Sequence, residues 1–272
     1  MSILSEERKL VILECLEREG KVMVLSLAEQ LNVSTETIRR DLLILEREEK
    51  LKRVYGGAVQ PTFRNDEAPY TIRQKTNANE KKAIGMRAAE LIEDGSTIVI
   101  DIGTTTLELA KSIQGNKRLT ILTNSLRVAA CLLESISMER FTGKVILLGG
   151  EVNAEQHSIS GTLCEQMMLQ FRVDQAFLSV GGISLTHGIT DFDVNEAAMS
   201  RVFAAAAQEV IVLGDHSKLR ISTFAHIIPF EKADVIISET SCPPEWQPVM
   251  EEKRVQWIQA SLPTHSSKRG EI

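Results

Sequence analysis

Residues 34–42 read STETIRRDL, and residues 53–58 read RVYGGA. In the first stretch, Ser34 stands at a natural helix N-cap and is followed by apolar residues at i, i+4 and i+7, which is the spacing of one helix face. These apolar residues are Ile38, Leu42 and Leu45. In the second stretch, the pair Gly56-Gly57 separates two short β-prone segments. Together the two stretches predict a helix followed by a β-hairpin.

Two further helices are predicted upstream. Apolar residues recur at helical spacing over residues 6–19 and 25–31, and the short segment 21–24 between them is β-prone. Asn32 and Val33 make a tight connection to the third helix. Because a lone helix with two arginines is usually only a solvated helix, it is the complete order of helices, turn and hairpin that predicts a winged helix-turn-helix over residues 1–60.

The third helix presents a polar side that can enter the major groove of double-stranded DNA. From this side Thr37 and Arg40 can reach base edges. Arg39 and the hairpin residues Lys52 and Arg53 can neutralise phosphates. This stretch is mildly basic, whereas the whole chain has a formal net charge of -6. The full set of predicted DNA-binding residues is Ser34, Thr35, Glu36, Thr37, Arg39, Arg40, Lys52, Arg53 and Tyr55.

The length and composition predict a second, larger domain. A chain of 272 residues with 43% hydrophobic and 25% charged residues is globular and exceeds the usual size of one domain. Residues 61–78 contain prolines and asparagines without regular periodicity, which predicts a partly extended linker. We expect the larger domain over 79–260 and a disordered tail over 261–272.

In this larger domain, apolar strand-like segments alternate with helical ones. This alternation predicts an α/β fold with a mostly parallel sheet that is covered on both faces. The strand-like segments are 97–100, 119–122, 144–148, 176–180, 210–213 and 235–237. Because ligands of such sheets bind at the carboxyl ends of the strands, the loops at those ends are the candidate site.

These loops are rich in glycine, hydroxyl and charged side chains. The stretch 101–106, DIGTTT, combines hydroxyls with the backbone N–H groups of a helix N-terminus, which can hold a phosphate; simple N-capping by threonine is the alternative. The other loops are each explicable as turns. Together they would suit a polyhydroxylated anion. The predicted effector-binding residues are Asp101, Gly103, Thr104, Thr105, Thr106, Thr123, Asn124, Ser125, Gly149, Gly150, Gly181, Gly182, Asp191, Glu196, Asp215 and Lys218.

Several motifs resemble those of the DeoR family of bacterial transcriptional regulators. Near the N-terminus these are Arg8, Ile12 and Leu16 with residues 34–42 and 53–58; further on they are residues 101–106, 123–125, 149–151, 191–197 and 215–218. The resemblance implies that the third helix is the recognition helix and that the larger domain is related in fold to ribose 5-phosphate isomerase and coenzyme A transferases. It also implies a repressor of carbohydrate catabolism genes that a phosphorylated sugar releases from DNA.

The alternative is a sugar-phosphate isomerase or transferase fused to a DNA-binding domain. Asp191, Asp193, Glu196 and Asp215 fall at predicted strand ends, and Lys218 could stabilise an enediolate. Isomerases of this fold carry Asp-Gly-Ala-Asp and Lys-Gly-Gly-Gly motifs, and neither occurs here. Retained binding loops without these motifs favour sensing without catalysis. A scaffold without any ligand would leave the polar loops unexplained.

The sequence predicts neither a cofactor nor a metal site. The histidines and cysteines lack the spacing of metal ligands, and His216 is expected to be a polar contact. We expect a cytoplasmic protein without a membrane span, because the N-terminus is charged and no apolar run is long enough. One winged helix contacts only a short DNA site, so we also expect a homo-oligomer, a dimer or tetramer.

Overall fold

The computed structural model describes residues 5–19, 21–47, 50–54, 56–59, 67–115 and 118–262. Contacts between Cα atoms group the chain into two compact units, Met1–Arg64 and Asn65–Ile272. None of the helices in the described ranges is long and apolar enough to cross a membrane. Most of the predicted tail, residues 263–272, lies outside the described residues.

The first unit is a three-helix domain with a wing. Its elements are α1 (Ser5–Glu19), β1 (Lys21–Met23), α2 (Val24–Gln30), α3 (Thr35–Arg47), β2 (Lys52–Val54) and β3 (Gly57–Val59). The strands pair antiparallel in the order β1, β3, β2. The predicted stripe of Ile38, Leu42 and Leu45 on α3 is buried in one core with side chains of α1 and α2. The predicted winged helix-turn-helix is confirmed.

The Gly-Gly pair shapes the wing in two ways. Gly56 has φ +77°, a left-handed conformation that costs glycine little. Gly57 lies in β3 opposite Met23 of β1, and a Cβ on it would lie 2.0 Å from the carbonyl oxygen of Val22. β3 can therefore approach β1 only because residue 57 has no side chain.

The second unit is built on a seven-stranded parallel sheet with the order β15, β14, β12, β9, β4, β5, β6. Its helices are α4 (Tyr70–Lys75), α5 (Ala78–Glu90), α6 (Thr104–Ser112), α7 (Leu126–Ser137), α8 (Thr162–Met168), α9 (Val194–Ala206) and α10 (Gln247–Lys253). Its strands are β4 (Thr97–Ile100), β5 (Arg118–Thr123), β6 (Thr142–Leu147), β7 (Glu151–Asn153), β8 (Ser158–Ser160), β9 (Val173–Ser179), β10 (Gly182–Ser184), β11 (Gly188–Asp191), β12 (Ala207–Leu213), β13 (Ala225–Ile228), β14 (Val235–Ser238) and β15 (Gln256–Gln259).

Both faces of this sheet are buried, as the continuous apolar strands predicted. Consecutive side chains of a strand point to opposite faces. Val99 and Leu178 accordingly belong to one apolar core, and their neighbours Ile98 and Phe177 belong to the other. The α/β fold with a parallel sheet is confirmed.

Two features of this unit differ from the sequence-based expectation. The predicted linker 61–78 contains the helix α4, so the absence of regular structure expected there is wrong for Tyr70–Lys75. Six residues are too few to produce a visible helical period. The second feature is a separate antiparallel sheet of β10, β11 and β13, in which Gly182 begins a strand instead of continuing a loop.

Candidate functional site

The polar side of α3 is accessible, as DNA binding requires. The predicted residues that are exposed or half-buried are Ser34, Thr35, Glu36, Thr37, Arg39, Arg40, Lys52 and Arg53. Tyr55 lies outside the described residues. Ser34 caps the helix, since its Oγ accepts a hydrogen bond from the backbone N–H of Thr37 at 3.1 Å. The Thr37 hydroxyl lies 2.8 Å from the same Oγ.

The cations of this face differ in whether they have a carboxylate partner within the described chain. Arg39 Nη1 lies 3.5 Å from Glu36 Oε2. The backbone N–H of Arg53 donates to Glu46 Oε1 at 2.9 Å, which ties the wing to α3. With the rest of the described chain, Arg40 and Lys52 make no ion pair. Their charges remain available to a nucleic acid.

A buried ion pair fixes α3 against α1. Arg8 Nε lies 2.5 Å from Asp41 Oδ2, and Arg8 Nη2 donates to Asp41 Oδ1 at 3.1 Å. The side chains are only 9% and 3% exposed. The hydrogen bond with Asp41 raises the pKa of Arg8. The sequence analysis named both residues only as parts of a motif and missed their pairing, which sets the position of the recognition helix.

In the second unit, the predicted loop 101–106 forms the N-terminus of α6. Gly103 precedes the helix with φ +141°, and a Cβ on it would lie 2.3 Å from Ser179 Oγ at the end of β9. Thr104, Thr105 and Thr106 form the first turn and are at most 5% exposed. The Thr106 hydroxyl donates to the Gly103 carbonyl at 3.2 Å. This bond keeps the hydroxyl within its own turn but is not an N-cap, because the N-cap position is Gly103 and no described side chain caps α6.

The next loop, Thr123 to Ser125, is also buried. Thr123 Oγ1 accepts from the backbone N–H of Ser125 at 3.1 Å, and Ser125 Oγ caps α7 by accepting from Val128 N at 3.2 Å. Asn124 Nδ2 donates to the Ile159 carbonyl at 3.0 Å. Its Oδ1 is buried without a hydrogen-bond partner among the described residues. A ligand hydroxyl could satisfy that oxygen.

Three predicted carboxyl groups are buried near one another. Burial is the largest cause that raises the pKa of Asp101 to about 8, of Asp191 to about 7 and of Glu196 to about 9. The charge of Asp191 contributes to the raised pKa of the other two. Near pH 7, Asp101 and Glu196 are therefore mostly neutral and Asp191 is about half ionised; the neutral forms can donate as well as accept hydrogen bonds.

Neighbouring hydroxyls hold two of these carboxyl groups. Ser200 Oγ donates to Asp101 Oδ2 at 2.6 Å, and Ser158 Oγ donates to Glu196 Oε1 at 3.2 Å. Ser158 of β8 also forms a β-bridge with Ser125. The loop after β5 is thereby linked to Glu196 on α9.

The predicted glycines permit close backbone approaches. A Cβ on Gly150 would lie 2.5 Å from the Ser160 carbonyl oxygen, and one on Gly182 would lie 2.3 Å from the Ile221 carbonyl oxygen. A Cβ on Gly181 would lie 2.9 Å from the Phe192 ring. Gly149 is exposed, and its N–H points to Met167 Sδ at 3.5 Å. The close approaches explain Gly150, Gly181 and Gly182 without a ligand, whereas a Cβ on Gly149 would meet nothing within 4 Å.

Asp215 and Lys218 follow β12. Asp215 is 1% exposed, and its Oδ1 accepts from Asn77 Nδ2 at 3.0 Å and from Ser217 N at 2.9 Å. The charge of Lys218 lowers the pKa of Asp191, which places it at the same group of carboxyls. The structure thus brings Asp101, Asp191, Glu196 and Lys218 together from four separate loops and helices.

The segment from Glu67 to Lys81 contributes four charged or polar residues that the sequence analysis assigned to the linker or passed over. These are Glu67, Arg73, Asn77 and Lys81. The charges of Glu67 and Arg73 affect the pKa of both Asp191 and Glu196. Arg73, Asn77 and Lys81 stand at four-residue intervals, but α4 ends before Asn77, which is left-handed with φ +51°, so this spacing does not describe one helix face.

Metal binding finds no support in the described residues, where no group of three or more His, Cys, Asp or Glu side chains could hold an ion. His216 instead contacts Glu239 through Nδ1, and its backbone N–H donates to the same carboxylate at 3.1 Å. It is a polar contact, as expected.

The two units together define a winged-helix DNA-binding regulator with an α/β sensor. Residues 8–63 match the model of the DeoR-like helix-turn-helix domain, and residues 76–240 match that of the DeoR C-terminal sensor domain. The chain belongs to the DeoR family of transcriptional regulators.

Curated relatives support this membership over most of the chain. The HTH-type transcriptional regulator GolR of Listeria innocua is 33% identical over 86% of this chain and 90% of its own. The glycerol-3-phosphate regulon repressor of Escherichia coli is 31% identical over 90% of this chain and 95% of its own.

A distant likeness to solved structures concerns the fold alone. Ribose 5-phosphate isomerase A of Methanocaldococcus jannaschii superposes with a TM-score of 0.38 and 16% identity, covering 53% of this chain and 55% of the isomerase. Nothing about chemistry follows from a superposition of this quality.

Proposed function

We propose that this regulator represses genes of carbohydrate use and that a phosphorylated sugar, bound at the carboxyl edge of the parallel sheet, releases it from its operator. The observation that carries the proposal is the gathering of Asp101, Asp191, Glu196 and Lys218 at that edge. Carboxyl groups suit sugar hydroxyls, and a cation beside a helix N-terminus suits a phosphate.

The relatives support the ligand class. One of them is a repressor of a glycerol-3-phosphate regulon, which makes phosphorylated polyols and sugars the first compounds to test. On the DNA side, we propose that Thr37 and Arg40 read bases while Arg39, Lys52 and Arg53 contact phosphates. The exposure of Arg40 and Lys52 supports their availability to DNA, and the division between bases and phosphates is left to substitution.

The test measures operator release. A duplex selected from a random pool by the full-length protein serves as operator, and binding is followed by fluorescence anisotropy at fixed salt. Each phosphorylated sugar is paired with its unphosphorylated form. At least one ester is expected to weaken DNA binding and raise the melting temperature, while its free sugar does neither. If no ester changes either quantity, the proposal is wrong.

We further propose that the protein acts on DNA as a dimer or tetramer, because one wing and one recognition helix cover only a half-site. Size-exclusion chromatography with light scattering tests this. A monomer that binds the selected duplex at full affinity would contradict it.

Turnover is the second candidate function, and the raised pKa values of Asp191 and Glu196 are the observation in its favour, because a general base works best when its pKa is near the working pH. We propose binding without turnover, supported by the missing isomerase motifs and by relatives that are regulators. NMR spectra of sugar phosphates incubated with the protein should remain unchanged.

A further inference from the structure

Glu67 is a largely buried carboxylate among three cations at the carboxyl edge. Its Oε1 lies 2.7 Å from Arg73 Nη1, and the two side chains are 11% and 16% exposed. Burial raises the pKa of Glu67, while the charges of Arg73, Lys218 and Lys81 lower it. Burial outweighs these charges, so the pKa of Glu67 lies above its ordinary value, and the ion pair with Arg73 is the direct contact that favours the charged form.

Two of the three cations are also anchored to the backbone. Arg73 Nε donates to the Ala68 carbonyl at 3.1 Å, and Lys81 Nζ donates to the carbonyls of Arg73 and Thr76 at 2.6 and 2.8 Å. Lys81 is only 6% exposed. Their positions are therefore set by the fold rather than by Glu67 alone.

The third cation, Lys218, has no carboxylate of its own. Its Nζ lies 5.7 Å from the centroid of the Phe192 ring, and within the described part of the chain it forms no ion pair. A half-buried ammonium whose contact is an aromatic ring rather than a carboxylate is able to accept an anionic ligand. Nearby Glu196 competes weakly for it, because burial favours the neutral form of this carboxyl group, whereas Asp191, with a pKa of about 7, is about half ionised near pH 7.

We propose that Arg73, Lys81 and Lys218 form an anion cradle, which Glu67 occupies in the ligand-free chain and the phosphate group of the effector occupies when it binds. This inference rests on the proposed function and deepens it. A phosphate carries more charge and three acceptor oxygens, so it can contact Lys218 and Arg73 together and displace the single carboxylate of Glu67.

The displacement acts on the chain that leads to the DNA-binding unit. Glu67 stands eight positions after Val59, the end of the last strand of the wing. Arg73 and Lys75 end the first helix of the sensor, and neither Glu67 nor α4 lies within the two matched family models. Breaking the ion pair between Glu67 and Arg73 removes this attachment of residue 67 to α4. Ligand occupancy at the cradle and affinity for DNA thereby become linked.

The test uses full-length protein and inorganic phosphate as the probe, with binding measured by calorimetry and thermal shift. Glu67→Gln removes the competing charge and should tighten phosphate binding about tenfold, the gain expected if the cradle is free about a tenth of the time. Lys218→Met should weaken phosphate binding at least fivefold.

Two control variants distinguish competition by Glu67 from the general effect of removing a negative charge. Asp193→Asn removes another negative charge that acts on Glu67, while the amide oxygen can still cap α9. It should tighten phosphate binding no more than about twofold. Glu90→Gln, in an exposed pair with Arg87, should change nothing.

Several results would overturn the cradle. Phosphate binding that Glu67→Gln leaves unchanged or tightens no more than Asp193→Asn does would reject the competition. If the variant does not fold, hydrogen exchange of the wild type decides: phosphate should reduce protection over residues 67–73, and increased or unchanged protection rejects the proposal. Operator release by a sugar phosphate in the wild type would leave the proposed function standing in each of these cases.

Discussion

The recognition helix and the sensor edge differ in what surrounds their predicted residues. On α3 the polar residues are accessible, and their partners are near in sequence, as Glu36 and Arg39 show. At the sensor edge the predicted residues are mostly buried, and Asp101 receives its hydrogen bond from Ser200, 99 positions away. A polar residue that looks functional in sequence can thus be a solvent-facing contact or a buried part of the framework.

The difference in accessibility distinguishes residues that can contact a ligand from residues whose polar groups hold a site in place. Arg40 and Lys52 have no ion-pair partner within the described chain, whereas the hydroxyls of Ser125 and Thr106 bond to backbone groups at the starts of α7 and α6. The exceptions are informative: Asn124 Oδ1 is buried without a hydrogen-bond partner among the described residues, and the half-buried Lys218 contacts an aromatic ring rather than a carboxylate. Substitutions can test which residues belong to which group.

The largest effect should come from the buried ion pair beneath the recognition helix. Arg8→Ala leaves Asp41 buried without its cation and should lower the free energy of unfolding of the first unit by about 3–5 kcal/mol. Arg39→Ala removes an exposed pair and should cost at most about 1 kcal/mol. Urea unfolding followed by circular dichroism measures both. Equal losses would show that burial does not distinguish the two pairs.

The next effect concerns DNA. Arg40→Ala should reduce discrimination against single-base changes at its contact position by about 1–3 kcal/mol. Lys52→Ala should weaken binding to all duplexes alike and reduce the slope of log affinity against log salt by about 1. Anisotropy titrations over a salt series on matched and mismatched duplexes separate the two. If both variants act alike, the assignment of base and phosphate contacts is wrong.

The regular parts of the fold could be predicted because their signals are local. The stripe of Ile38, Leu42 and Leu45 gives the position of α3, and continuous apolar runs such as 97–100 and 210–213 become strands buried on both faces. The six-residue helix α4 has no such signal, and the short strand Gly182–Ser184 shows no β pattern.

The candidate site was only partly predictable for a related reason. The sequence predicted Asp101, Glu196 and Lys218 at one edge because parallel strands end there. Asp101 and Lys218 do follow strands of that sheet, whereas Glu196 lies on α9, after a strand of the separate antiparallel sheet. Their burial depends on what packs over them, including Ser200 and Ser158, which nothing in the local sequence connects to them. Glu67 and Arg73 were missed because they lie in a stretch whose composition resembles a linker.

Raised pKa values at the sensor edge predict a pH-dependent stability. In the folded chain, burial raises the pKa of Asp101 to about 8 and of Glu196 to about 9, above the ordinary value near 4 of the unfolded chain. The folded chain therefore retains protons that the unfolded chain has released, and its stability falls as the pH rises from about 4 towards 9.

We expect the free energy of unfolding to fall by about 2 to 3 kcal/mol between pH 6 and pH 7, about 1.4 kcal/mol for each of these two carboxyl groups. Asp101→Asn, which cannot ionise, should make this decline shallower, and the exposed Glu90→Gln should leave it unchanged. Urea titrations at each pH measure the slope. A stability that rises over this range would contradict the buried state of these carboxyl groups.

The smallest effect distinguishes two neighbouring threonines on α6. The Thr106 hydroxyl donates to the Gly103 carbonyl, whereas among the described residues the hydroxyl of Thr105 makes no hydrogen bond, although the residue is only 5% exposed. Thr105→Val should therefore weaken the response to the active sugar phosphate about fivefold, the loss of about 1 kcal/mol expected for one neutral hydrogen bond. Thr106→Val should instead lower stability by a similar amount. Measuring thermal stability, operator affinity and effector affinity for both variants separates a ligand contact from a structural one. If Thr105→Val destabilises the protein without weakening effector binding, then Thr105 is also part of the framework, and the sensor edge contacts its ligand through other groups.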